Sequence, residues 1–122
     1  MRGRTALAIV VPLAFALFAS AAQAHAQLER ATPAVGAAVA APNEIRLKFS
    51  EGVEPRFSHI ALTAADGAAA PLGPARVEPG DPTVLLAPIL KTLAPGVYAV
   101  RWSAVSVDTH RTQGDFDFTV KP

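Results

Sequence analysis

The chain has 122 residues, 51% hydrophobic and 17% charged, which is enough for one domain of ordinary size and excludes a multidomain enzyme. Eleven Lys and Arg nearly balance ten Asp and Glu, so there is no strong field to draw in a nucleic-acid backbone, and nucleic acid is not expected as a partner. With no cysteine, disulfides, thiolate metal sites, iron–sulfur clusters and cysteine nucleophiles are excluded together. Any chemistry falls to His, carboxylates, hydroxyls and backbone groups.

The first 24 residues differ in kind from the rest. Arg2 and Arg4 form a positive start, Ala6 to Ala19 is an uncharged run rich in Ala, Val, Leu and Phe, and Ala22-Gln23-Ala24 fits a small-residue cleavage motif. Residues 1–24 are therefore expected to be a secretory signal peptide that is removed. The alternative is an uncleaved anchor, but Pro12 and the small-residue exit fit a processed signal better. Cleavage after Ala24 makes His25 the first residue of a domain over 25–122 with 9 basic and 10 acidic side chains.

Along that domain the dominant periodicity is two, the signature of half-buried strands. Ile45, Leu47 and Phe49 alternate with Glu44, Arg46, Lys48 and Ser50. His59 to Thr63 and Thr83 to Ala87 are further strand segments. After the Pro95-Gly96 turn, Tyr98, Val100, Trp102 and Ala104 share one face of a longer strand, and Phe116, Phe118 and Val120 alternate with Asp115, Asp117 and Thr119. Turn signals separate these runs at Pro33 with Gly36, Pro42-Asn43, Asp66-Gly67, Pro71 to Pro74 and Pro79 to Pro82, while Ala68 to Pro74 reads as a flexible loop. No stretch carries a sustained helical stripe. The pattern predicts an all-β antiparallel sandwich or small barrel.

Two elements carry candidate chemistry. A free terminal His25 closes a six-membered chelate ring on one metal ion through its amine and Nδ1, and such amines give up their proton readily near neutral pH. Near the end of the strand that carries Trp102 stands Asp108-Thr109-His110; if the strand stays extended there, the Asp108 carboxylate and the His110 imidazole point to one face. With His25 they supply three nitrogens and one oxygen, a set that suits tetragonal Cu(II) and is also acceptable to zinc. The alternative for Asp108 and His110 alone is an exposed carboxylate–imidazole hydrogen bond.

At these residues the chain resembles a known family. The start HAQLERATPAVGA, the strand IRLKFSEGVEP and the end GVYAVRWSAVSVDTHRTQGDFDFTVK resemble the CopC family of periplasmic copper-binding proteins over essentially the whole mature chain. The most specific part is W-x-A-V-S-x-D-x-H-x-x-x-G combined with a histidine at the cleaved terminus. The resemblance implies an immunoglobulin-like or cupredoxin-like Greek-key β-sandwich that binds one Cu(II) through His25, Asp108 and His110. It also places Glu51 at an acidic position near that site. Family members with a methionine-rich loop bind Cu(I) through thioethers, but the one methionine here is Met1, so no Cu(I) thioether site is expected.

His59 is expected to be a solvated strand residue, Trp102 a core residue on the same strand face as Asp108 if no bulge intervenes, and Asp115 and Asp117 the polar face of the last strand. Three functions compete. The first is a monomeric periplasmic Cu(II) carrier or buffer for copper homeostasis and resistance, which hands the ion to a CopD-like inner-membrane transporter or a multicopper oxidase. The second is an enzyme, either copper oxidative chemistry at the terminal histidine or hydrolysis using Ser106, Asp108 and His110. Against it stand an Asp108 that fills a position oxygen activation needs open, three hydrolytic candidates on one strand, and no G-x-S-x-G elbow, so the protein is not expected to be an enzyme. The third is a metal-free assembly or adhesion module.

Overall fold

The computed structural model describes residues 25–122 together with Gly3, Thr5, Ala6 and Ala8; the rest of the expected signal segment, with its cleavage motif, lies outside the described residues. Nine strands follow one another: β1 (Leu28–Thr32), β2 (Ala38–Val39), β3 (Glu44–Phe49), β4 (His59–Ala64), β5 (Ala69–Ala70), β6 (Arg76–Glu78), β7 (Asp81–Pro88), β8 (Gly96–Val105) and β9 (Arg111–Val120). A single 3₁₀ turn, Pro55–Phe57, precedes β4, and the described residues contain no α-helix.

The strands form two sheets, one in the order β1-β3-β7-β6 and the other β2-β9-β8-β4-β5. Named in chain order, these are the A-B-E-D and A′-G-F-C-C′ sheets of an immunoglobulin sandwich, with β2 pairing parallel to β9 and the other pairs antiparallel. The expected Greek-key sandwich is the observed one. Tyr98 at the start of β8 donates its hydroxyl to the Ala94 carbonyl at 2.7 Å, the corner bond that fixes strand F in such folds.

Alternation in the sequence becomes the core directly. Ile45, Leu47 and Phe49 are fully buried, and across the sandwich they meet the inward face of β8 and β9, namely Tyr98, Val100, Trp102, Phe116, Phe118 and Val120. Without a disulfide, cohesion rests on this packing, in which each large side chain withdrawn from water contributes about 1.5–3 kcal/mol. Trp102 meets Phe49 edge to face at 5.2 Å. Its indole lies on Gly114, its cross-strand partner, where an added Cβ would stand 2.7 Å from Cζ2.

The run Val84-Leu85-Leu86-Ala87 is buried throughout because β7 is a central strand whose outward Leu86 lies between Arg46 and Arg76. Four strands, β1, β2, β5 and β6, lie where the sequence named none. Ala69 and Ala70, read as part of a flexible loop, form the edge strand β5 against Leu62 and Thr63, and β6 lies where no strand was expected. Two alanines and three alternating residues carry too little periodicity to show in the sequence.

Candidate metal centre

The site is built where the beginning of the domain meets the β8–β9 connection. Ala26 is fully buried, and the Thr112 hydroxyl donates to its carbonyl at 2.7 Å. Gln27 exchanges two hydrogen bonds with Ser50, its N–H donating to Ser50 Oγ at 2.8 Å and its carbonyl accepting from Ser50 N–H at 2.8 Å. These contacts lead the exposed His25 to the exposed His110. Their rings meet edge to face with centroids 4.7 Å apart and planes at 88°.

The Asp108–His110 pair converges by a route other than the expected one. β8 ends at Val105, and Ser106 to Thr109 form a tight turn in which Thr109 N–H donates to Ser106 O at 2.8 Å and Ser106 N–H to His110 O at 2.9 Å. Thr109 sits at φ 73°, a left-handed conformation uncommon for a β-branched residue. The turn, not an extended strand, brings Asp108 Oδ2 to 3.4 Å from His110 Nδ1. For the same reason the strand parity expected to relate Trp102 to Asp108 does not apply, since the strand ends between them.

Ser106 organises this turn. It is fully buried, its hydroxyl donates a short hydrogen bond to Asp108 Oδ1, and its Oγ accepts the His110 N–H at 3.3 Å. This hydrogen bond from Ser106, reinforced by His110, holds the Asp108 carboxyl below the usual carboxylate range despite partial desolvation. Ser106, considered in the sequence as a nucleophile, is inaccessible to a substrate. The turn is fastened to the β3 exit by the Val53–Ser106 bridge, by Val107 N–H to Gly52 O at 3.1 Å and by Glu54 N–H to Val105 O at 2.8 Å.

The segment from Ser50 to Glu54 therefore braces both halves of the site. Glu51 lies within it, and its Oε1 is buried without a hydrogen-bond partner. His59 is exposed on β4, and Asp115 and Asp117 are exposed on β9, as their strand parity predicted, while Trp102 is buried.

Imidazoles with centroids 4.7 Å apart are close enough for a nitrogen of each to reach one ion about 2.0 Å away once the rings turn toward it. Among the described residues, however, no group of three or more His, Cys, Asp or Glu side chains stands ready to hold a metal ion. Asp108 is engaged by Ser106 and His110, and within the 122-residue chain the backbone nitrogen of His25 is a peptide nitrogen. Sequence reasoning singled out His25, Asp108 and His110, which the structure places near one another, but missed Thr112, Ser50 and the hydrogen-bonding role of Ser106. Hydroxyls at these positions acquire meaning only when the topology shows which backbone groups they meet.

The chain is thus a small immunoglobulin-type β-sandwich that carries two imidazoles and a carboxylate at one end. Residues 28–121 match the CopC domain family. The chain belongs to the CopC family. It is 42% identical over 119 residues to Protein YobA of Escherichia coli strain K12, covering 97% of this chain and 94% of the relative. Among solved structures it is similar to CopC from Methylosinus trichosporium OB3b, with 34% identity, TM-score 0.75 and coverage of 80% of this chain and 95% of the other. It is also similar to PcoC, described as a methionine-rich copper resistance protein from Escherichia coli, with 40% identity, TM-score 0.68 and coverage of 80% and 99%.

Proposed function

We propose that this protein is exported, cleaved after Ala24, and binds one Cu(II) in the periplasm through the His25 amine and Nδ1, the Asp108 carboxylate and the His110 imidazole. The observation that carries this reading is the meeting of the His25 and His110 rings at 4.7 Å beside Asp108. Three nitrogens and one oxygen suit tetragonal Cu(II), and the only methionine, Met1, leaves no thioether site for Cu(I). Kinship with copper resistance proteins supports copper as the cargo.

A site at the domain surface, with His110 53% and Asp108 33% exposed, suits an ion that is taken up and passed on. The protein acts as a carrier or buffer in copper homeostasis, delivering to a CopD-like membrane transporter or a multicopper oxidase, and works as a monomer. Among the described residues no helix is long and apolar enough to cross a membrane. Catalysis is not part of the proposal, since the serine weighed as a nucleophile, Ser106, is buried.

The test is a Cu(II) titration of protein beginning at His25, read by electron paramagnetic resonance, beside a form with one alanine added before His25. One tight equivalent with a nitrogen-rich tetragonal spectrum, strongly weakened by the added alanine, is expected. Binding indifferent to the extension removes the terminal chelate and leaves the metal-free module.

A further inference from the structure

The two halves of the site come from opposite ends of the domain, and chain ends fray unless they are tied down. A chelate at the first residue of a mature chain therefore depends on what holds the second and third. Here the Ala26 methyl is sealed in the core, and its carbonyl has one side-chain donor, Thr112 Oγ1 at 2.7 Å. Thr112 lies on β9 two residues beyond His110, so the same strand end that carries one imidazole also grips the segment that carries the other.

We propose that Thr112 is a positioning residue of the metal centre: its hydrogen bond to the Ala26 carbonyl fixes His25 against His110 before copper arrives. This rests on the reading of His25 as the terminal copper ligand. The N–H of the same peptide unit, that of Gln27, donates to Ser50 Oγ at 2.8 Å, so the Ala26–Gln27 peptide is gripped from both sides, by Ser50 beside β3 and by Thr112 from the strand end next to His110. Without that bond the peptide keeps only its Ser50 anchor, the Ala26 carbonyl loses its tie to the strand end beside His110, and the amine and Nδ1 of His25 must be reordered more often when they meet the ion. Losing one neutral hydrogen bond of this kind corresponds to about a tenfold change in an equilibrium or rate.

The experiment uses protein beginning at His25 and its Thr112→Val, Thr112→Ser and Thr119→Val variants, the last removing a hydroxyl from β9 away from the site. In the copper-free proteins, 15N relaxation reads the order of Ala26 and Gln27. With copper, dissociation into excess EDTA and the resonance spectrum read the site. Thr112→Val is expected to lower the order parameters of residues 26 and 27 selectively, to speed copper loss about tenfold, and to broaden the spectrum. Thr112→Ser restores all three, and Thr119→Val moves none.

Unchanged order at residues 26 and 27 in Thr112→Val overturns the inference even while wild-type protein holds copper through its amine. Equal effects of Thr119→Val and Thr112→Val also overturn it, because the loss is then one of general stability. Wild-type copper binding indifferent to an added alanine overturns the chelate itself, and is distinguished by the order parameters, which still report on the hydrogen bond.

Discussion

The buried hydroxyl of Ser106 donates to the exposed carboxylate of Asp108, two residues along the same turn. A polar group without access to water thus sets the orientation of one that has it. The same oxygen accepts the His110 N–H, so the turn has a single internal hub.

Ser106→Ala leaves the His110 N–H without its side-chain acceptor and Asp108 without its hydroxyl donor. The expected cost is about 1–3 kcal/mol, measured by urea denaturation of the copper-free protein. Copper affinity should fall as well, because Asp108 is no longer held toward His110. Unchanged stability would show that the turn is set by its backbone hydrogen bonds alone.

The pH dependence of this interaction has a definite sign. Ser106 first, then His110, favour the ionised form of Asp108, so its folded pKa lies below its unfolded one. The stabilisation is present above the ordinary carboxylate pKa and is lost as pH falls through the lower folded value. Asp108→Asn should therefore lower copper-free stability at neutral pH, with the difference from wild type disappearing only in strong acid. Paired denaturation curves between neutral pH and pH about 2 check this, and a difference that grows on acidification contradicts it.

Much of this architecture was legible because it rests on local alternation. Ile45-x-Leu47-x-Phe49 and Phe116-x-Phe118-x-Val120 are core strands by their pattern, and the same parity placed His59, Asp115 and Asp117 on the outside. The route by which Asp108 meets His110 was not legible. In the sequence, spacing of two within a β-rich run reads as one strand face, whereas the strand stops at Val105 and a left-handed Thr109 turns the chain. A threonine gives no warning of that conformation, which glycine or asparagine would have signalled. Nor could the sequence reveal that Thr112 grips Ala26, since the contact spans 86 positions and depends on how the two sheets close.

Thr109 itself offers a stabilising change. At φ 73° a β-branched side chain is strained by roughly 1–2 kcal/mol, whereas asparagine tolerates this region well. Thr109→Asn is expected to raise the melting temperature of the copper-free protein by a few degrees, corresponding to about 0.5–1 kcal/mol. Scanning calorimetry measures it, and a lower melting temperature would mean that the Thr109 side chain makes a compensating contribution.

Gly114 closes the sequence motif H-x-x-x-G for a reason found in the core and not at the metal. A Cβ there would lie 2.7, 2.9 and 3.0 Å from Cζ2, Cε2 and Nε1 of Trp102, all within a rigid ring that packs on Phe49. Gly114→Ala should force the indole aside at a cost of about 1–3 kcal/mol. Because Trp102 is the only tryptophan, its emission reports the displacement directly, and a red shift is expected as the ring gains contact with water. Combining Gly114→Ala with Trp102→Phe shrinks the ring and should recover part of the lost stability relative to the sum of the two single changes. Strict additivity in that double-mutant cycle would mean that the glycine serves the backbone of β9 and not the indole above it.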